Sequence, residues 1–187
     1  MTHSYDRTLL ATLGFADPDR RTSDHDLACE YLRTSPGVME RLVRTCVPPD
    51  VKGLKWESRR EVPISKGEGK YKTTVGFIDV LVHVEFVDPI EDEMKYLNLI
   101  VEVKATPSSV GDLHRQLSLY REYPVLNPRC WHRAYNNCVA ATLFPLSEQD
   151  RNQLESDGIK CIRIGSSNFE EWKRALPDIP KTPEVEV

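Results

Sequence analysis

Nothing in this 187-residue sequence stays apolar for the roughly 20 residues a bilayer span requires. The segment from Met1 to Asp6 is polar and carries no apolar signal core. These two absences predict a protein without a membrane partner, working in the cytoplasm, or in a host cytoplasm if its source is viral. Paired cysteines of the zinc-ribbon kind are also missing. Cys29, Cys46, Cys130, Cys138 and Cys161 are odd in number and irregularly spaced, which suits reduced thiols and argues against a disulfide framework. No Gly-rich loop ending in Lys-Ser/Thr occurs, so any unwinding activity has to come from another chain. There is no internal repeat and no interdomain linker. Nor is there an excess of positive charge: 25 basic residues stand against 29 acidic ones, a net charge of −4. A basic nucleic-acid coat is excluded, but an enzyme acting on nucleic acid needs only a local basic lining.

What is present suits one globular domain. The chain is 40% hydrophobic and 29% charged, ample for a single core. After an arm of about twenty residues without clear period, Ser23-Asp24-His25-Asp26 offers a helix start with an acidic first turn. Leu27, Ala28, Tyr31 and Leu32 follow at helical spacing. Ser35-Pro36-Gly37 starts a second helix with the apolar face Val38, Met39, Leu42, Val43 and Cys46, ended by Pro48-Pro49. Strands are expected over Leu54 to Ile64, Val75 to Phe86 and Tyr96 to Ala105. A helix capped by Ser109 carries the stripe Val110, Leu113, Leu117 and Tyr120. Then come a strand from Asn137 to Phe144, a helix from Ser147 to Asp157 closed by Gly158, a strand from Ile159 to Ile164, and a last helix bearing Phe169, Trp172 and Leu176. The order α-α-β-β-β-α-β-α-β-α predicts a mixed α/β domain over 1–176, with a loose tail rich in Pro and acid over 177–187.

Side chains alternate across a strand, and that alternation locates the chemistry. Leu97, Leu99, Val101, Val103 and Ala105 make one apolar face; Asn98, Ile100, Glu102 and Lys104 make the other. In the preceding strand Ile78, Val80, Val82 and Val84 share a face, and Phe77, Asp79, Leu81 and His83 share the opposite one. Charge buried mid-strand is costly unless paired, bound to metal or opened to a cleft. If the strands are neighbours, Asp79 and Glu102 converge with Lys104 one pleat away. Two carboxylates can hold Mg²⁺ through hard oxygen ligands, and a nearby lysine can orient a water or stabilise phosphoryl oxygens. Gln116, a polar amide within the stripe of the Ser109 helix, needs partners of its own and can reach this patch. Taken alone, a Glu-x-Lys in a strand is usually an ordinary exposed pair, so the weight falls on the set. A basic stretch, Lys52, Lys55, Arg59, Arg60, Lys66, Lys70 and Lys72, precedes Asp79 and offers a phosphate-backbone lining. Within it and on the Gln116 helix, Lys66, Lys70, Lys72, Arg115 and Tyr120 are the candidate nucleic-acid contacts. Trp131-His132, between Arg129 and Arg133, is a further candidate for base stacking.

Together the segments Gly76-Phe77-Ile78-Asp79-Val80, Ile100-Val101-Glu102-Val103-Lys104 and Gln116-Leu117-Ser118-Leu119-Tyr120 resemble the PD-(D/E)XK nuclease superfamily, the restriction-endonuclease-like fold. The Gln-x-x-x-Tyr helix is similar to that of its RecB-type and lambda-exonuclease-type branch. The resemblance covers about 35–165 and implies a central mixed sheet flanked by helices, in the order α-β-β-β-α-β with C-terminal additions. It implies Mg²⁺, with Mn²⁺ able to substitute, held by Asp79, Glu102 and Val103, with Lys104 assisting the attacking water and Gln116 beside it. A carboxylate from the preceding helix is expected at the same ion: Glu40 first, Glu30 second, with Glu61 a further strand carboxylate nearby. No Pro precedes Asp79, a departure from many relatives, and the cysteines lack the spacing of an iron–sulfur cluster. The implied function is Mg²⁺-dependent hydrolysis of DNA phosphodiester bonds. An inactive nucleic-acid-binding or assembly module on the same fold, or an RNA nuclease, are the alternatives. Endo- or exonuclease action, a homodimer, a partner helicase or recombination protein, and a role in restriction, repair, recombination or phage replication all stay open.

Overall fold

The structure is a computed structural model, and it describes residues 24–66, 73–107, 110–121, 135–165 and 167–176. Two helices come first, α1 (Asp24–Thr34) and α2 (Pro36–Cys46). Pro36 opens α2, where its missing N–H costs nothing. Three long strands follow: β1 (Lys52–Lys66), β2 (Thr73–Val87) and β3 (Met94–Lys104). Then α3 (Val110–Arg121), β4 (Tyr135–Thr142), α4 (Glu148–Ser156), β5 (Ile159–Arg163) and α5 (Ser167–Ala175) alternate. Ser147 caps α4 by accepting from the Asp150 N–H at 3.1 Å, and Gly158 takes φ +70° just beyond its end. The expected cap Ser109 and the tail lie outside the described residues.

The five strands form one mixed sheet in sequence order. β1, β2 and β3 are an antiparallel meander, while β3–β4 and β4–β5 pair in parallel. Each parallel step needs a crossover, and α3 and α4 lie between the strands concerned. Parallel strands are buried on both sides, which explains the nearly continuous apolar runs of β3 and β4. On one face α1, α2 and α5 pack against Val80, Val82, Val84, Leu99, Val101 and Val103. On the other, α3 and α4 pack against Ile78, Leu81, Ile100, Cys138 and Ala140. Both faces of the sheet are thus core, where the sequence pattern suggested one clean apolar face per strand. His83, Asn98 and Glu102 are buried on the second face among those residues.

One departure from the alternation matters for the site. Ile78 and Val80 share a parity, yet Ile78 packs with the α3 side and Val80 with the α1 side. β2 therefore changes face at Asp79. The same happens in β1: Trp56 packs on the α1 side, while Val62 and Ile64 pack on the α3 side. The β1–β2 ladder steps from Arg60–Val80 to Val62–Ile78 without the pair between, and there Glu61 holds φ +48°. A non-glycine residue in that region marks local strain.

Candidate active site

The β2–β3 ladder ends at Val80–Val101. One step further would set Asp79 opposite Glu102, but β2 stays with β1 and leaves β3. The sheet forks at this point. The Val103 N–H, deprived of a ladder partner, donates to Asp79 Oδ2 at 2.8 Å. A buried backbone donor needs an acceptor, so the fork itself fixes the Asp79 carboxylate. Among the described residues, the acidic group lies at a break in the sheet, reachable from both helical layers.

From the α3 side, Glu102 and Lys104 project from the end of β3. Lys104 Nζ donates to Glu102 Oε1 at 2.8 Å and to Gln116 Oε1 at 3.3 Å. Gln116 Nε2 donates to the Tyr120 hydroxyl at 2.8 Å, and that hydroxyl donates to the Phe77 carbonyl at 2.8 Å. Gln116 and Tyr120 are one turn apart on α3, so one helix face holds both links. The chain of bonds runs from β3 through α3 to the β2 backbone just before the fork.

Glu102 is only 2% exposed, and its Oε2 has no hydrogen-bond donor. Burial first, and then the Asp79 carboxylate beside it, push its pKa well above the usual carboxylate range, against the pull of Lys104. An unmatched acceptor at this depth costs on the order of 1–3 kcal/mol, more when charged. Without a metal the fold thus favours a proton on Glu102, facing the Asp79 carboxylate in a buried place.

From the α1 side, His25 Nε2 lies 3.1 Å from Asp79 Oδ2, and Cys29 Sγ lies 4.0 Å from His25 Nε2. Donor atoms of His25, Cys29 and Asp79 all fall within 4.8 Å of one another. Behind them Arg60 ties β1 to α1 through Asp26 at 2.7 Å and Glu30 at 3.6 Å. His25 was not a candidate in the sequence, where it read as part of an acidic helix start. Its signal was there: it sits four residues before Cys29, on the same helix stripe as the buried Leu32.

The expected residues divide clearly. Asp79, Glu102, Lys104 and Gln116 are brought together, and Val103 contributes its backbone at the same place. Glu40 is not. It stands on the solvent side of α2, opposite the buried Met39, Leu42 and Val43, and pairs with Arg44 at 3.7 Å. Glu30 is engaged by Arg33 at 3.0 Å and by Arg60. The helix-borne group at the cluster is His25 of α1 instead. Tyr120 is 1% exposed and holds α3 to β2, so it is buried away from any nucleic acid. Lys66 and Arg115 are exposed; Lys70, Lys72, Arg129, Trp131, His132 and Arg133 lie outside the described residues. Arg60 is half-buried and committed to α1. His114 pairs with Asp157 at 3.0 Å.

No protein-family model matches the chain, and no curated protein matches it. Among solved structures it is similar to the MspJI restriction endonuclease in complex with a 27-mer oligonucleotide, at 13% identity and a TM-score of 0.41. The likeness covers 87% of this chain but 29% of that one, so the chain spans less than a third of the neighbour's length. Among the described residues, no helix is long and apolar enough to cross a membrane.

Proposed function

We propose that the chain is a metal-dependent nuclease that hydrolyses DNA phosphodiester bonds at the fork between β2 and β3. The observation that carries this reading is the buried Glu102 Oε2, left without a donor beside the Asp79 carboxylate. A divalent cation would take the place of the proton this carboxyl pair favours, and the donors suit it: Asp79 and Glu102 offer hard oxygens, and Val103 can add its backbone carbonyl. Mg²⁺ is the expected ion, with Mn²⁺ as substitute. When bound, such an ion would lower the pKa of a coordinated water and steady charge on the phosphate.

The protein's own groups supply the rest. Lys104 Nζ donates to Glu102 and Gln116, which leaves a third ammonium proton that neither takes. With it the ammonium can orient an attacking water or stabilise the oxygens of the phosphoryl group. Gln116 is in turn fixed by Tyr120, which keeps the ammonium from swinging to solvent. His25 fixes the orientation of Asp79 from the opposite side.

The test is incubation of the pure chain with supercoiled, linear and single-stranded DNA, and with RNA, in Mg²⁺, Mn²⁺ or chelator. Metal-dependent cutting of DNA is expected, lost in chelator. Cutting of RNA alone would transfer the same site to another substrate. Absence of cutting, together with no Asp79-dependent Mn²⁺ binding in calorimetry, would leave only a non-catalytic module.

A further inference from the structure

His25 and Cys29 stand one turn apart on α1, so both side chains face the same side of the helix, toward Asp79. Their contacts do not close as ordinary hydrogen bonds. If His25 Nε2 carries a proton, it donates to Asp79 and cannot accept from the Cys29 thiol. If Nε2 carries its lone pair, it faces the lone pairs of Asp79 Oδ2. In either tautomer one contact among the three is unmade. The distances of 3.1 Å and 4.0 Å bracket the roughly 3.3–3.7 Å edges expected between N, O and S donors around a tetrahedral Zn²⁺ ion.

We propose that His25 Nε2, Cys29 Sγ and Asp79 form a binding site for a thiophilic divalent ion of the Zn²⁺ class, distinct in chemistry from the hard-cation position at Asp79 and Glu102. It rests on the nuclease reading only through the shared Asp79 carboxylate. Sulfur and imidazole donors favour Zn²⁺ and Co²⁺ over Mg²⁺, which prefers oxygen alone. Binding replaces the thiol proton by the metal, and that proton leaves to solvent. In the metal-free chain burial, and then the Asp79 carboxylate, push the Cys29 thiol well up, against the pull of Arg60, so the ion itself has to displace the thiol proton. Occupation of this site ties up Asp79, so Zn²⁺ competes with the hard cation for the same carboxylate.

Cobalt reads the site directly. The full chain is titrated with Co²⁺ in excess Mg²⁺. The expected result is a thiolate-to-cobalt charge-transfer band with strong visible bands of a tetrahedral ion, saturating at one equivalent and displaced by Zn²⁺. Cys29→Ser should remove the charge-transfer band and weaken Zn²⁺ binding at least roughly tenfold. His25→Ala should weaken it similarly, and this variant decides alone if Cys29→Ser fails to fold by circular dichroism. A wild-type chain without the band overturns the site, as does a band that persists in the folded variants and so arises from another cysteine. Lys104→Ala should keep the cobalt spectrum while its DNA cleavage falls by orders of magnitude. If the spectrum is as expected but the wild type cuts no nucleic acid with any metal, the thiophilic site stands and the nuclease reading falls.

Discussion

Lys104 has the most exposed working group of the cluster, and its ammonium is held by two acceptors, Glu102 and Gln116. Because it stands at the end of β3 and not in the core, its removal should leave the fold intact. Lys104→Ala is expected to reduce metal-dependent cleavage by roughly 100- to 1000-fold, the usual effect of removing one charge-stabilising donor, with unchanged circular dichroism. A rate within a few-fold of wild type would show that the ammonium does not face the reacting phosphate. Glu102 gives a complementary test. Its carboxylate is buried against Asp79, so without metal it is a source of instability. Glu102→Gln should abolish cleavage yet raise the melting temperature of the metal-free chain by roughly 2–4 °C. The pH dependence follows in sign. Folding favours the protonated form of Glu102, because its pKa is raised in the fold. The metal-free protein therefore keeps this contribution at acid pH and loses it as pH rises through the raised value. Thermal melts from acid pH to beyond the raised pKa of about 8 should show that decline in the wild type, flattened in Glu102→Gln.

The fork is made by elements acting together. β2 follows β1 away from β3 at Asp79, and α3 fills the wedge by setting Leu113, Leu117 and Tyr120 against Ile78 and Ile64. The Tyr120 hydroxyl is the polar link across that contact. Tyr120→Phe keeps the ring and its packing but leaves the Phe77 carbonyl and the Gln116 amide each without a partner. A loss of roughly 1–3 kcal/mol in urea unfolding is expected, with a smaller cleavage defect than that of Lys104→Ala. An unfolding midpoint equal to wild type would mean that water takes over both bonds. Much of this layer was legible in the sequence, because helix and strand periods depend on neighbours along the chain. The alternation in β3, the Pro36 helix start and the Gly158 stop are all local signals. The reversal of face at Asp79 was not legible. It depends on Glu61, one strand away, adopting a left-handed backbone that no local pattern announces. His25 was missed for the same reason: its partner Asp79 lies 54 residues further along. Glu40 was overrated because a carboxylate on a preceding helix says nothing about which side that helix buries.

Across the whole molecule the sheet is covered on both faces, so a polymeric substrate can reach the cluster only where the strands separate. The net charge of −4 gives no global attraction for nucleic acid, so under the nuclease proposal recognition rests on a few basic groups near that opening. Arg115 is the clearest of these among the described residues. It stands on α3 next to Gln116, is 79% exposed, and its one ion pair, with Asp112 at 3.5 Å, lies in solvent and is worth little. A phosphate contact by Arg115 contributes through counterion release, so its loss should show in the salt dependence of binding and not in the chemistry. Arg115→Ala is expected to weaken DNA binding at low salt, measured by anisotropy in Ca²⁺ to prevent cutting, and to lower the slope of log K against log salt by about 0.9 for duplex DNA. The saturating cleavage rate should be unchanged, because the Glu102–Lys104–Gln116 bonds do not pass through Arg115. A slope equal to wild type would place the backbone elsewhere, with the exposed Lys66 at the far end of the β1–β2 pair as the next position to test.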